Sequence, residues 1–235
     1  MSRASRQISP MSVEQGLHTV RERIADAAIR SGREPDQIRL VGVSKGSDPE
    51  LVSAAIIAGL REVGENRVQE AVAKIPAVVS VVKEKPTWHL VGHLQTNKAR
   101  AALGLFDVIQ SVDSVRVAHA LSRLADHPLP ILLEVQFART PDRFGFDPGA
   151  VGGALDEIGA LPGVRVIGLM TVAPLGLEPE STRMVFRALR EERDRLQEAR
   201  GLPSLELSMG MTDDYEIAIE EGATIVRIGR AIFAA

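Results

Sequence analysis

The residue of this sequence best suited to covalent chemistry is a lysine that directly follows a short apolar run. Lys45 comes after the segment LVGVS at 40–44, which is typical of a buried strand in a parallel sheet. A lysine at the end of such a strand becomes an amine nucleophile when burial weakens its preference for the charged form. The alternative is a solvated lysine that only covers the surface. Strand position alone leaves both interpretations open.

Two glycine-containing segments near the C-terminus are candidates for binding an anion. In SMGMT at 208–212, the Ser208 hydroxyl and the backbone N–H groups are donors at a strand-to-helix turn. A plain turn is the alternative, and the acidic residues at 213 and 214 would repel a phosphate. In RIGRAIF at 227–233, Gly229 permits close backbone approach, and Arg227 is suited to a phosphate or a cofactor ring. Arg230 is either a second cation or a surface arginine.

A scaffold must bring these segments together, and the apolar pattern predicts repeated strand–helix units. The predicted strands are 39–44, 62–64, 88–91, 106–110, 131–136, 165–170, 205–208 and 224–228. Predicted helices include a leading one over 13–28, with Ser12 and Gln15 as its capping box, and 49–58, 67–74, 114–125, 179–200 and 213–221. Eight such units predict a single (β/α)8 TIM barrel. A doubly wound open sheet is the alternative, but the Gly-x-Gly-x-x-Gly fingerprint is absent after the first strand.

The polar residues at the carboxyl ends of barrel strands share one active-site mouth. Those predicted to lie there are Lys45, Glu65, Asn66, His93, Gln95, Ser111, Asp113, Thr171, Ser208, Arg227 and Gly229. Residues 1–11 are expected to form a flexible tail and residues 12–235 one domain. The turn-rich loop 139–148 is a candidate to close over the mouth.

Composition argues against several classes of protein. The 235 residues carry a formal net charge of -3 and 3% aromatic residues, which disfavours nucleic-acid binding. Cysteine is absent, which excludes disulfides and thiolate nucleophiles and fits a cytoplasmic location. No apolar run is long enough to span a membrane, and the N-terminus lacks the apolar region of a signal peptide. His89 and His93 do not suggest a metal pair, because the segment is predicted as a strand and lacks the intervening glutamate.

Six motifs, in order along nearly the whole chain, resemble the pyridoxal phosphate homeostasis protein family. They are LVGVSK at 40–45, VGENRVQE at 63–70, WHLVGHLQTNK at 88–98, SVDS at 111–114, GLMT at 168–171 and LSMGMTDD at 207–214, the last leading into RIG at 227–229. The resemblance implies a barrel similar to the N-terminal domain of alanine racemase, a fold type III pyridoxal phosphate protein, without that enzyme's C-terminal β domain.

The same resemblance implies roles for individual residues. Lys45 would hold pyridoxal 5'-phosphate (PLP) as a Schiff base, and Asn66 would line the ring. Ser208 and the backbone at Gly229 and Arg230 would hold the phosphate, and Arg227 would face the pyridine nitrogen. The chain departs from the family at position 230, where a small hydroxyl residue is common, and at position 46, where glycine replaces one.

Three functions are compatible with these residues. An arginine opposite the pyridine nitrogen weakens the ring as an electron sink, and a racemase needs a second acid or base besides the lysine. The leading hypothesis is therefore a monomeric, non-enzymatic PLP-binding protein that buffers the cofactor or delivers it to apo PLP enzymes. A PLP-dependent amino-acid racemase is the alternative. A Schiff-base aldolase without cofactor is a third possibility.

Overall fold

Eight parallel strands form a closed barrel in the computed structural model, which describes residues 9–137 and 144–234. The strands follow the chain order, and β1 pairs with β8 to close the barrel. The strands are β1 (Arg39–Val43), β2 (Glu62–Glu65), β3 (Thr87–Leu90), β4 (Val108–Val112), β5 (Leu129–Glu134), β6 (Val164–Met170), β7 (Glu206–Ser208) and β8 (Ile225–Ile228). The predicted TIM barrel is confirmed, and the open doubly wound sheet is wrong.

Helices connect the strands and cover the outside of the barrel. They are α1 (Pro10–Arg30), α2 (Pro49–Ile57), α3 (Val68–Val79), α4 (Ala99–Leu103), α5 (Val115–Ser122), α6 (Pro148–Gly159), α7 (Pro179–Arg200), α8 (Tyr215–Glu220) and α9 (Arg230–Phe233). None of the helices within the described ranges is both long and apolar enough to cross a membrane.

The leading helix begins earlier than the sequence analysis predicted. Helix α1 starts at Pro10, and the capping box consists of Ser9 and Ser12 rather than Ser12 and Gln15. The hydroxyl of Ser9 accepts from the Ser12 backbone N–H at 3.3 Å, and the Ser12 hydroxyl accepts from the Ser9 N–H at 3.1 Å. Proline is favoured at the first helical position because it has no N–H that needs a partner there. The predicted tail 1–11 therefore overlaps the helix, and its residues 1–8 lie outside the described ones.

Strand β4 lies two positions further along the chain than predicted. The strand was expected at 106–110, but Phe106 and Asp107 belong to the preceding turn. The carboxylate of Asp107 accepts the backbone N–H of Trp88 at 2.8 Å, which ties this turn to β3. Ser111 is consequently a strand residue and does not follow the strand.

Helix α6 has no counterpart among the predicted helices because its glycines lower the intrinsic helix propensity. Packing against α7 stabilises the helix instead. A Cβ atom at Gly152 would lie 3.0 Å from Nη2 of Arg200 and 3.2 Å from Cδ2 of Leu196. Val151, Ala154, Leu155 and Ile158 are the buried residues of α6 that belong to the apolar core. Tertiary contact therefore overrides local preference here.

The apolar core has two parts. The larger one lies between the strands and the surrounding helices, and a smaller cluster contains Val41, Val108, Leu132, Met170 and Ile225. Side chains two positions apart on a strand point to the same face. Gln110 and Arg227 therefore share the strand faces of Val108 and Ile225, and both are buried. A polar layer thus follows this smaller cluster toward the carboxyl ends of the strands.

Candidate functional site

A cavity of about 1300 Å³ lies at the carboxyl ends of the strands. The loops after β1, β2, β6, β7 and β8 contribute to its wall. Five of the six residues predicted to bind a cofactor line it: Lys45, Asn66, Arg227, Gly229 and Arg230. The barrel therefore brings together side chains that are up to 185 positions apart in the sequence, from Lys45 to Arg230.

Lys45 follows β1 and points its amine at solvent-accessible space. The residue is exposed, so the burial that the sequence analysis expected to activate it is not present. Its amine makes no hydrogen bond or ion pair with any residue that the structure describes. The amine is therefore free to react with a carbonyl group in the cavity, without first breaking an ion pair.

A buried ion pair holds the backbone directly before Lys45. The Lys74 ammonium donates to the carboxylate of Glu65 and to the backbone carbonyl of Ser44, both at 2.7 Å. The hydroxyl of Ser44 donates to the same Oε1 of Glu65 at 2.5 Å. Ser44, Glu65 and Lys74 are all buried. This triad joins the ends of β1 and β2 to α3, and it fixes the peptide group that carries Lys45.

Arg227 supplies a buried cation at the base of the cavity. Only 3% of the residue is exposed, and burial lowers its pKa to about 10 against the opposing influence of Glu134 and Asp214. The guanidinium therefore remains charged near neutral pH. Its Nη1 donates to the Ser208 hydroxyl at 2.5 Å, and its Nη2 donates to the carbonyl of Thr171 at 2.8 Å.

Ser208 lies beneath the cavity and is not one of its lining residues. The residue is fully buried, and its hydroxyl donates to Oε1 of Gln110 at 2.6 Å. Gln110 in turn contacts Nδ1 of His89 at 2.9 Å through Nε2. The Ser208 hydroxyl thus has two partners inside the barrel. Its predicted contact with a phosphate stays a prediction.

The loops after β7 and β8 form the wall at which a phosphate was expected. Asp214 turns its carboxylate back onto the N–H of Met211 at 2.6 Å, and burial raises its pKa. Asp213 pairs with Arg230. The repulsion of a phosphate expected from these two carboxylates is thus reduced. The N–H of Thr212 has no acceptor among the described residues and remains available to an anion.

Glycine is required at position 229 by packing alone. A Cβ atom there would lie 2.9 Å from the carbonyl oxygen of Val43. Asn66 is half-buried. A Cβ atom at Gly92 would lie 2.3 Å from the backbone carbonyl oxygen of Asn66. These two glycines let neighbouring strand ends approach closely around the cavity. Their presence therefore does not by itself indicate a ligand.

The polar side chains of His93, after β3, and Asp113, after β4, form a separate group that does not line the cavity. Nδ1 of His93 lies 2.6 Å from the carboxylate of Asp113, and the ring stacks on Phe144 with centroids 3.7 Å apart. Phe144 belongs to the loop 139–148, which was expected to close over the mouth. The structure describes this loop only from residue 144 onward. That expectation remains a prediction.

Sequence reasoning overlooked two residues that position the site. Lys74 falls on a helical pattern where a lysine normally faces solvent, and no local signal marks it. Gln110 offered a signal, because a polar residue within the apolar run VIQSV at 108–112 is unusual for a buried strand. His89, which was not expected to bind a metal, is buried and contacts Gln110.

Comparison with known proteins assigns the fold to a class. Residues 19–235 match the family model described as alanine racemase, N-terminal domain. A pyridoxal phosphate homeostasis protein of Aquifex aeolicus is 39% identical over 226 residues, which cover 95% of this chain and 98% of the relative. The chain belongs to the pyridoxal phosphate homeostasis protein family.

Two solved structures are also similar. The PipY protein of Synechococcus elongatus, with PLP bound, has a TM-score of 0.79 and 39% identity, and the match covers 91% of this chain and 99% of PipY. An unknown protein from Bifidobacterium adolescentis has a TM-score of 0.89 and 38% identity, with 95% of both chains covered. These matches extend over nearly the whole length of the barrel.

Proposed function

We propose that this chain binds PLP in the cavity at the mouth of the barrel and buffers or delivers it in the cell. The observation that carries the proposal is the meeting of the free Lys45 amine and the buried Arg227 cation at one cavity. In its unprotonated form, that amine adds to the PLP aldehyde and expels one water, which leaves a Schiff base. PLP supplies an aldehyde for this linkage and an anionic phosphate for recognition.

The remaining wall of the cavity suits the other groups of PLP. The backbone at Gly229 and Arg230, with the free N–H of Thr212, provides donors for the phosphate. Asn66 lines the ring. Arg227 faces the pyridine nitrogen as a cation that donates hydrogen bonds and does not accept them. This arrangement favours an unprotonated pyridine nitrogen. The choice of PLP as the ligand is supported by the name of the relatives and by the structure of PipY with PLP bound.

Catalysis as a racemase has less support. Racemisation requires an acid or base on each face of the bound substrate. The described lining residues include no histidine, tyrosine or cysteine. Of their four carboxylates, Asp213 pairs with Arg230 and Asp214 accepts from the Met211 N–H, whereas Asp48 and Glu50 lie at the start of α2, on the same loop as Lys45. Lys45 itself supplies a group on one side only. The proposal is therefore a binding protein and not a strong enzyme.

Spectroscopy of the purified protein with added PLP tests the proposal. A visible band from the Schiff base should form, and it should be absent from Lys45→Ala. Borohydride reduction should abolish the band and leave the cofactor attached to the protein through gel filtration. Lys98→Ala is the matched control, because Lys98 lies outside the cavity and should leave the band unchanged. A wild-type protein that stays colourless would refute the proposal.

Incubation with single-enantiomer alanine, serine or glutamate separates the binding protein from the racemase. We expect no turnover at the rates typical of enzymes, which are about 1–1000 per second. Turnover at such rates would make the chain a racemase. A colourless protein that cleaves a sugar phosphate through Lys45 would make it an aldolase.

Apo PLP enzymes are the proposed recipients of the cofactor, and a cytoplasmic monomer is the proposed state of the protein. Transfer would be measured by mixing the PLP-loaded protein with an apo enzyme and following recovery of that enzyme's activity. The apo enzyme should regain activity faster from this donor than from an unrelated protein that carries the same total concentration of bound PLP. Equal rates would argue for buffering alone.

A further inference from the structure

A continuous chain of polar side chains crosses the interior of the barrel beneath the cavity. It runs from Arg227 through Ser208 and Gln110 to His89, whose Nε2 lies 3.0 Å from the carboxylate of Glu62. Ser208, Gln110 and His89 are fully buried. Buried polar groups cost free energy unless they are paired, so a chain of this length in a barrel core calls for a function.

In the structure, the hydrogen bonds of this chain all run in one direction. Arginine has N–H donors and no acceptor, so the Ser208 oxygen accepts from Arg227. In this arrangement the Ser208 proton is donated to Oε1 of Gln110. The amide nitrogen of Gln110 therefore faces His89, and Nδ1 of His89 must accept. The ring proton of His89 then lies on Nε2, next to Glu62. One end of the chain fixes the orientation of every other member.

We propose that Gln110 and His89 are positioning residues that aim the Arg227 guanidinium at the pyridine nitrogen of bound PLP. Two donors of Arg227 are held inside the barrel, one by Ser208 and one by the Thr171 carbonyl. The remaining N–H groups belong to a residue that lines the cavity. Neither Gln110 nor His89 lines that cavity, so both act through Ser208 and Arg227. This inference rests on the proposed function.

The loss of either positioning residue should change the electronic state of the cofactor. Without an acceptor for its proton, the Ser208 hydroxyl must reorient, and the guanidinium loses its fixed direction. The pyridine nitrogen then protonates more readily. We expect the midpoint of the pH titration of the visible band to move by roughly one pH unit, and PLP to bind roughly tenfold more weakly.

Matched variants separate positioning from packing. Gln110→Met and His89→Leu fill similar volumes and break the chain, whereas His89→Asn places an amide oxygen near the position of Nδ1 and keeps the acceptor. Leu132→Met changes a buried residue of the smaller interior cluster outside the chain. We expect the spectral midpoint to shift in the first two variants and to stay at the wild-type value in the other two.

The outcomes are distinct. The inference is wrong if Gln110→Met keeps the wild-type midpoint, or if His89→Asn shifts it as far as His89→Leu does. Should Gln110→Met fail to fold, Ser208→Ala removes one oxygen from the same chain and must give the same shift. A wild-type protein without the band refutes the proposed function and this inference together. A normal wild-type band with unchanged variants refutes the inference alone.

Discussion

The buried ion pair beside Lys45 makes Lys74→Met a direct test of how the reactive lysine is held. Methionine retains the length and the apolar stem of the side chain but removes the ammonium group. The substitution deletes two hydrogen bonds of 2.7 Å, to Glu65 and to the Ser44 carbonyl. It also leaves the Glu65 carboxylate, which is 0% exposed, without a cation.

The size of the effect follows from the unpaired carboxylate. Removing one partner of a buried ion pair destabilises a protein by about 3–5 kcal/mol, because the other charge remains desolvated. Lys74 is 8% exposed, so water reaches the pair poorly and the lower end of this range is the minimum that we expect. For a chain of this length, about 3 kcal/mol corresponds to a fall in Tm of roughly 6–12 °C.

Urea unfolding followed by circular dichroism measures this loss. Lys85→Met serves as the control, because Lys85 is exposed, and its free energy of unfolding should change by less than about 0.5 kcal/mol. The double variant Lys74→Met/Glu65→Leu removes both charges and should recover most of the lost stability. If Lys74→Met unfolds like Lys85→Met, or if the double variant is no better than the single one, the reasoning fails.

Two further substitutions test packing and charge elsewhere. Gly229→Ala brings a Cβ to 2.9 Å from the Val43 carbonyl oxygen and should lower the free energy of unfolding by about 1–3 kcal/mol. Urea unfolding measures this change. Gly153→Ala is the control, because a Cβ at this position of α6 would meet no atom within 4 Å. A hydrogen bond from Arg183 lowers the pKa of Glu220 in the folded protein. The carboxylate therefore stabilises the fold at pH values above the pKa of Glu220 in the unfolded chain. This stabilisation is lost as the pH falls through the lowered pKa of the folded state. Glu220→Gln should therefore lower Tm near neutral pH, and the difference from wild type should vanish in acid; a difference that persists there would contradict this sign.

The barrel was predictable because several of its eight strands are short apolar runs, and because the alternation with helices leaves few topologies. Boundaries were less predictable. Phe106 belongs by composition to a strand, but the hydrogen bond between Asp107 and Trp88 assigns it to a turn. Helix α6 was missed because its glycines contradict the helix that packing against Arg200 stabilises.

The cavity residues were predictable in kind but not in role. Of the six residues that strand-end position and family resemblance identified, five line the cavity. Position along the chain cannot show which way a hydroxyl points, so the hydrogen bonds of Ser208 with Gln110 and Arg227 were not predicted. The burial of Lys74 depends on the packing of α3 against β2, which no local pattern records.

Two buried sets of polar side chains lie beneath the cavity, one under Lys45 and the other under Arg227. Burying polar groups costs free energy, and this cost suggests why they occur where a functional group must be held. The triad of Ser44, Glu65 and Lys74 secures the backbone before Lys45, and the chain from Glu62 to Ser208 secures Arg227. An apolar core of the same volume would often be at least as stable. Apolar contacts are non-directional, however, whereas hydrogen bonds fix the angle at which a group faces the cavity. A protein that holds a cofactor by an amine at one end and a cation at the ring gains that fixed geometry from polar groups placed directly under both.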